Sequence, residues 1–415
     1  GESEMVDYNL FTLPNGIRIV HKEVPSTKIV HCGFVLDIGS RDEHEDQLGI
    51  AHFWEHMAFK GTKKRKAFHI LNRLDSVGGE LNAYTTKEKI CFYASTLEKH
   101  MESAFELLQD ITFDSIFPEK QIENERGVIL EEMSLYRDSP EDAIQDEFDD
   151  VIFRDHPLGK NILGTPSSVK SFQRKDFQDF LKTNMNTEGI VFSCVGNVPL
   201  KKVTKLAEKY FGAIPHVKAK RERVLFKGYT PSSETIKRNI TQAHCAIGTT
   251  AFALDDKRRL PFFMLINILG GPGMNSRLNL ALREKYGFVY NIEASYNPYS
   301  DTGLFAIFYG TELSQVNRSK KLIAKELKLL REKPLGTLQL HKAKEQLVGQ
   351  LAMAEENNAS LMLMMGKSIL DMNKVHSLEG IIKNIRSISS EQLIDIANEA
   401  LVEDQLSYLT FLPKS

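Results

Sequence analysis

The sequence predicts an α+β protein of two tandem, structurally similar domains, each a mixed, mostly antiparallel sheet with helices packed on one face. Three observations carry this expectation. The chain has 415 residues, too many for one ordinary core at ~100–200 residues per domain. Each half mixes alternating strand-like runs with long amphipathic stretches, the pattern of helices laid on a sheet. The two halves also repeat one another. The run Ile29 to Leu36, with His31 and Cys32, has a counterpart in Gln242 to Gly248, with His244 and Cys245, 213 positions on. The unit opening at Val169-Lys170-Ser171-Phe172 and leading to the strand Ile190-Val191-Phe192 recurs at Ile385-Arg386-Ser387-Ile388 and the strand from Leu406, 216 positions on. Two nearly equal offsets bracketing each half argue for duplication.

The elements follow in order. Pro14-Asn15-Gly16 is a hairpin turn between two alternating strands. A helix covers about Leu48–Ala58, a strand pair about Gly79–Tyr84 and Lys89–Thr96, and two amphipathic helices about Lys99–Thr112 and Pro118–Tyr136. The join lies where Pro215, the basic run Lys218–Arg223 and the tract Tyr229–Ser233 fall together, which is linker chemistry. The expected division is residues 1–214, a linker at 215–233 and residues 234–415. The basic run is expected to be a solvated connection.

Composition narrows the function classes. The hydrophobic fraction is 42%, the charged fraction 26% and the formal net charge −2. Nothing global points to nucleic acid or an anionic membrane as partner. No apolar run approaches the ~20 residues of a membrane helix. The opening residues Gly1–Asp7 are polar and acidic and carry neither the basic nor the apolar region of a leader, which leaves open a leader removed ahead of them. Cys32, Cys91, Cys194 and Cys245 stand far apart in apolar runs with no CxxC pair. They read as buried free thiols in a reducing compartment, hence a cytoplasmic protein, and not as metal ligands.

The informative segment is His52-Phe53-Trp54-Glu55-His56. On a helix, residues three and four apart share a face, so both imidazoles and the carboxylate point the same way. Two imidazoles one turn apart suit tetrahedral zinc, and the adjacent carboxylate can take a proton from water. Ile50, Ala51, Phe53, Trp54, Met57 and Phe59 make this helix apolar nearly all round, which implies burial. Buried His and Glu need partners, and a metal supplies them. A third ligand is sought in the helix Ile122–Met133. Glu125 and Glu132 are seven apart on one face with Val128 and Ile129, and Glu131 lies about 100° away. Spacing leaves Glu125 and Glu132 both open.

The tract Gly49–Thr62 around that motif resembles the M16 (pitrilysin) metallopeptidases, which share a fold type with LuxS-like metallohydrolases. It is most similar to the bacterial M16B members and to the beta subunit of the mitochondrial processing peptidase. Glu125–Met133, Leu81-Asn82-Ala83-Tyr84-Thr85 and His156-Pro157-Leu158-Gly159 match further tracts of the family, so the resemblance covers essentially the whole chain. It implies a zinc ion, one per chain, on His52, His56 and a Glu 76 positions after the second histidine. That Glu is Glu132, with Glu125 as a carboxylate behind the ligands. Glu55 is then the general base that activates a zinc-polarised water. Asn82 and Ala83 would bind the substrate as an added strand.

At the 213 offset the motif positions become Leu265, Ile268 and Leu269, so the second half has no zinc motif. Its distinctive stretch is Gly270–Arg277 followed by Arg283–Tyr290. No GK[ST] follows the glycines, which sets a nucleotide loop aside. Gly287 is expected to end a helix between Arg283 and Tyr290. The resemblance makes these two residues the donors to the oxyanion at the zinc. The function implied is a zinc metalloendopeptidase that cuts short or unfolded peptides inside a dimeric chamber, as a homodimer or with a paralogous partner. The rivals are a non-catalytic scaffold subunit of the same fold and a presequence-processing subunit that needs a distinct partner.

Overall fold

The computed structural model describes residues 8–219 and 221–414. The acidic opening Gly1–Asp7 and Lys220 of the basic run lie outside the described residues. The chain forms two compact units. Unit one takes residues through Met133, Lys160–Arg223 and Ala352–Leu378; unit two takes Ser134–Gly159, Val224–Leu351 and residues from Glu379 on. The expected division at 214 and 234 runs along the chain, whereas these units interleave. Each draws one helix from the other half of the sequence.

Unit one contains β1 (Asn9–Thr12), β2 (Arg18–Glu23), β3 (Ile29–Leu36), β4 (Glu80–Thr85), β5 (Ile90–Leu97) and β6 (Ile190–Gly196) in one sheet of order β1-β2-β6-β3-β5-β4. Only β2 and β6 run parallel; every other neighbour is antiparallel. Side chains alternate between faces. Ile19, Phe34, Phe92 and Phe192 face a core shared with α1 (Ile50–Met57), α2 (Ala67–Asp75), α3 (Met101–Phe113), α4 (Glu119–Asp138), α6 (Pro166–Ser171), α7 (Arg174–Asn184) and α8 (Leu200–Phe211). The alternate residues Val20, Val191 and Val195 face Leu361, Met362, Met365 and Ile369 of α12 (Asn358–Met372), the helix supplied by the second half of the sequence.

Unit two repeats the plan. Its strands β7 (Ser233–Arg238), β8 (Ala243–Ala251), β9 (Val289–Pro298), β10 (Gly303–Thr311) and β11 (Ser407–Pro413) are ordered β7-β11-β8-β10-β9, with β7 and β11 parallel. Cys245, Ile247, Phe305 and Ile307 face a core with α9 (Arg259–Gly270), α10 (Val316–Glu332), α11 (Thr337–Glu356), whose last turn falls in unit one, α13 (Leu378–Arg386) and α14 (Ser390–Ala400). Ala246, Leu304, Ala306, Leu409 and Phe411 face α5 (Pro140–Ile152), the helix supplied by the first half. All four cysteines are buried and free. Among the described residues no helix is long and apolar enough to cross a membrane.

The basic run departs from its expected solvation. Arg221 and Arg223 keep only 15% of their side-chain surface and turn toward Asp37 and Asp42 of unit one. Arg223 grips Asp42 with two hydrogen bonds of 2.9 Å and also meets Glu88. In an extended segment residues two apart share a face, so these two arginines turn inward together while Glu222 stays exposed.

Candidate metal centre

The helix α1 is held at its N-terminal end and along its apolar side before any chemistry is considered. Gly49 precedes it with φ +94°, and Gly164, with φ +85°, lies against it; a Cβ on either would run into the other's backbone segment. The backbone N–H groups of Gly49 and Ala51 donate to the two carboxylate oxygens of Glu43 at 3.0 and 2.9 Å. These are two of the N–H groups that a helix start leaves without a partner. Burial pushes the Glu43 carboxyl up to about 8 even against those two donors. Along the helix Phe53 meets Phe177 and Trp54 meets Phe92, both rings fully buried. These anchors fix the direction in which the polar face points.

That face carries His52, which is buried, with Glu55 and His56, both half-buried. From α4, Glu132 approaches both imidazoles, with Oε1 3.5 Å from His52 Nε2 and Oε2 3.9 Å from His56 Nε2. Ligand atoms of His52, His56 and Glu132 lie within 4.8 Å of one another. Tetrahedral zinc at ~2.0–2.1 Å from its ligands sets them roughly 3.3 Å apart, so this donor set fits the ion and its preferred N/O chemistry. The Nδ1 atom of His52 is buried without a hydrogen-bond partner among the described residues.

Glu125 stands one step further back. Its Oε2 lies 2.9 Å from His56 Nδ1 and its Oε1 3.1 Å from Lys60 Nζ. A proton held on Nδ1 by Glu125 leaves Nε2 bare on the side of Glu132, which is how carboxylates orient metal-binding imidazoles. Burial works against the charged form of His56, but the bond to Glu125 and the fields of Glu125, Glu55 and Glu132 outweigh it and raise its pKa. Burial likewise works against the Glu125 carboxylate, and the donors His56 and Lys60 hold its pKa below the usual value. Glu132 is lowered first by its bond to His52, against burial. Glu131 is exposed.

Glu55 accepts a hydrogen bond of 2.8 Å from the Thr85 hydroxyl. Thr85 ends β4, the sheet's edge strand, which also carries Asn82, exposed, and Ala83, half-buried. Sequence reading missed the parts of Thr85, Lys60 and Glu43. Thr85 falls at the end of a tract already singled out, and Lys60 lies one helical turn past His56. Nothing in the spacing signals Glu43.

Arg283 and Tyr290 belong to unit two. Arg283 is exposed on a π-helical turn, Asn279–Lys285, and Gly287 follows with φ +64° and breaks it. Tyr290 is 58% exposed on the edge strand β9, so it is no core residue. Arg283 lines a cavity of about 380 Å³ together with Asn267, Asn279, Asn291 and Glu293.

Residues 18–166 match the family described as insulinase (peptidase family M16), and residues 171–347 match the peptidase M16 inactive domain. An uncharacterized zinc protease of Bacillus subtilis is 32% identical over 95% of this chain and 96% of its own. An uncharacterized zinc protease of Streptomyces coelicolor is 33% identical over 94% of this chain and 86% of its own. Among solved structures, a peptidase M16 inactive domain from Pseudomonas fluorescens superimposes with TM-score 0.92 at 18% identity, over 99% of both chains. A protease from Helicobacter pylori gives 0.90 at 21% identity, over 98% of this chain and 99% of that one. These likenesses share the fold described above, and with relatives above 30% identity along nearly the full length, the chain belongs to peptidase family M16.

Proposed function

We propose that this chain is a zinc-dependent endopeptidase of the M16B type that hydrolyses short or unfolded peptides. The observation that carries the reading is the convergence of ligand atoms from His52, His56 and Glu132 beside a carboxylate, Glu55, held by a hydroxyl. One ion per chain would be held by those three side chains, with Glu125 orienting His56. A bound zinc ion supplies the Lewis acid that polarises a carbonyl and acidifies water. Glu55 accepts the proton of the attacking water and returns it to the leaving amine.

Substrate backbone would pair along β4 at Asn82 and Ala83. Main-chain pairing of that kind tolerates many side chains and demands an extended partner. Arg283 and Tyr290 are exposed cationic and phenolic donors of the sort that stabilise a developing oxyanion. The reading has them serve the zinc site of a second copy, in a two-fold pair that encloses the substrate and carries two equivalent sites. Folded proteins are then poor substrates.

The experiment uses the purified chain alone with a quenched peptide, alongside metal analysis. Cleavage with about one zinc per chain is expected, and Glu55→Gln should keep the zinc while turnover falls by ~10²-fold or more. Mixing inactive Glu55→Gln with inactive Arg283→Ala under subunit exchange should restore activity in heterodimers with one intact site. Zinc-loaded chain that cuts nothing would favour a scaffold subunit. Cutting only after a distinct subunit is added would favour a processing subunit.

A further inference from the structure

We infer that Lys367 gives the peptide-binding edge a preference for an acidic substrate side chain, and so sets the register in which the peptide lies. The inference rests on the pairing of substrate along β4. Among the described residues that strand neighbours β5 alone, so its other side presents unpaired backbone groups. Its side chains divide between two faces. Leu81 and Ala83 pack toward the core shared with α1, and Thr85 reaches Glu55 on that side. Asn82 and Tyr84, at the alternate positions, face the other way.

On that second face the ammonium of Lys367 lies over the Tyr84 ring, 4.7 Å from its centroid. Lys367 belongs to α12, which packs on β6 and β3 further inside the sheet. Its side chain therefore extends outward past β5 to reach the edge. Among the described residues no carboxylate lies within ion-pair distance of it. Asp371, one turn on along α12, is taken up by Lys89 at 2.8 Å. An ammonium over an aromatic face keeps donors free for an anion.

A strand added beside β4 places its side chain opposite Tyr84 with Cβ atoms ~4.5–5.5 Å apart, on the same face. That side chain meets the Tyr84 ring and the Lys367 ammonium. A carboxylate there gains an ion pair, and a lysine there is repelled. Glu80, exposed at the start of the same strand and on the same face, repels a carboxylate placed opposite it, ~13 Å along the strand from Tyr84. The two charges of opposite sign therefore discriminate between registers, and register decides which peptide bond reaches Glu55.

The test scans a single Glu, Gln or Lys through otherwise identical short fluorescent peptides. Binding is measured on zinc-loaded Glu55→Gln chain and cleavage on chain with Glu55 intact. One position should favour Glu over Lys roughly tenfold, in binding and in kcat/KM. Adding Lys367→Glu should reverse the order at that position, and Lys367→Met should flatten it. A wild-type order retained in Lys367→Glu, or no position with a charge preference, overturns the inference. A preference that reverses in binding while no peptide is cut upholds it and counts instead against hydrolysis.

Discussion

The two units build the same sheet around opposite contents. β2-β6-β3-β5-β4 and β7-β11-β8-β10-β9 share order and strand directions, and each is covered on its second face by a helix from the other half of the sequence. The helix α1 lies against the edge strand β4, and α9 against the edge strand β9. Where α1 carries His52, Glu55 and His56, α9 carries Leu265 and Leu269, both buried, and the half-buried Ile268. Where α1 meets α4 through imidazole and carboxylate, α9 meets α11 through the neutral pair Asn267 and Gln350 at 3.3 Å. Burying a leucine stabilises by ~1.5–3 kcal/mol, whereas replacing a buried ion pair by well-packed apolar residues is often neutral or stabilising by ~1–4 kcal/mol. The polar cluster of unit one is thus retained at a thermodynamic disadvantage that the apolar helix of unit two does not carry. Fold alone does not require it, which is in keeping with the metal-binding role proposed for it.

The sharpest way to break this comparison is to treat both helices alike. His52→Ala, His56→Ala and Glu132→Ala should each lose bound zinc and turnover, because three protein ligands leave none to spare. Leu265→Ala and Leu269→Ala should keep zinc and lose ~2–5 kcal/mol of stability in denaturant titrations. Full zinc occupancy in Glu132→Ala would reassign the third ligand to Glu125 or Glu131. A smaller effect is expected one step behind the ligands. Glu125→Gln should weaken zinc by ~10–100-fold in chelator competition, with the ion still bound at saturation. The smallest effect concerns the contact from β4 to α1. Thr85→Val should lower kcat by roughly tenfold with zinc content and KM unchanged, and Thr85→Ser should restore it. An unchanged kcat in Thr85→Val would mean that Glu55 is oriented by other means.

Local pattern carried much of this structure in advance. The alternation in Ile29–Leu36, the Asn15-Gly16 turn and the apolar periodicity around His52 each fix an element from neighbours in sequence, and these elements stand close to where they were expected. The two imidazoles share a face because helical geometry dictates it. Spacing alone left Glu125 and Glu132 both open, since both lie on one face of α4, and only the family resemblance pointed to Glu132. The choice depends on how far along its own axis α4 sits against α1, which is a tertiary quantity. The fates of Arg221 and Arg223 were hidden for a similar reason, because their partners Asp37, Asp42 and Glu88 are more than a hundred residues away in sequence. The interleaved helices were hidden too. An amphipathic helix reports that it has an apolar side, and says nothing of which sheet will receive it.

That interleaving fixes an order of events during synthesis. Val20, Val191 and Val195 belong to the first half of the chain, and the helix that covers them ends at Met372. The ribosome must therefore translate through the helix that ends at Met372 before unit one can close its second face. Until then a hydrophobic sheet surface is exposed on the nascent chain, where it invites aggregation or a chaperone. Contacts this distant in sequence also slow folding, because a long loop must close before they form. A fragment cut at the linker would carry the whole zinc motif and still lack the helix that completes its sheet. The unit that carries the candidate metal centre thus completes its sheet only after a helix about 160 residues beyond its last strand has been made, which delays the maturing of that site relative to its own motif.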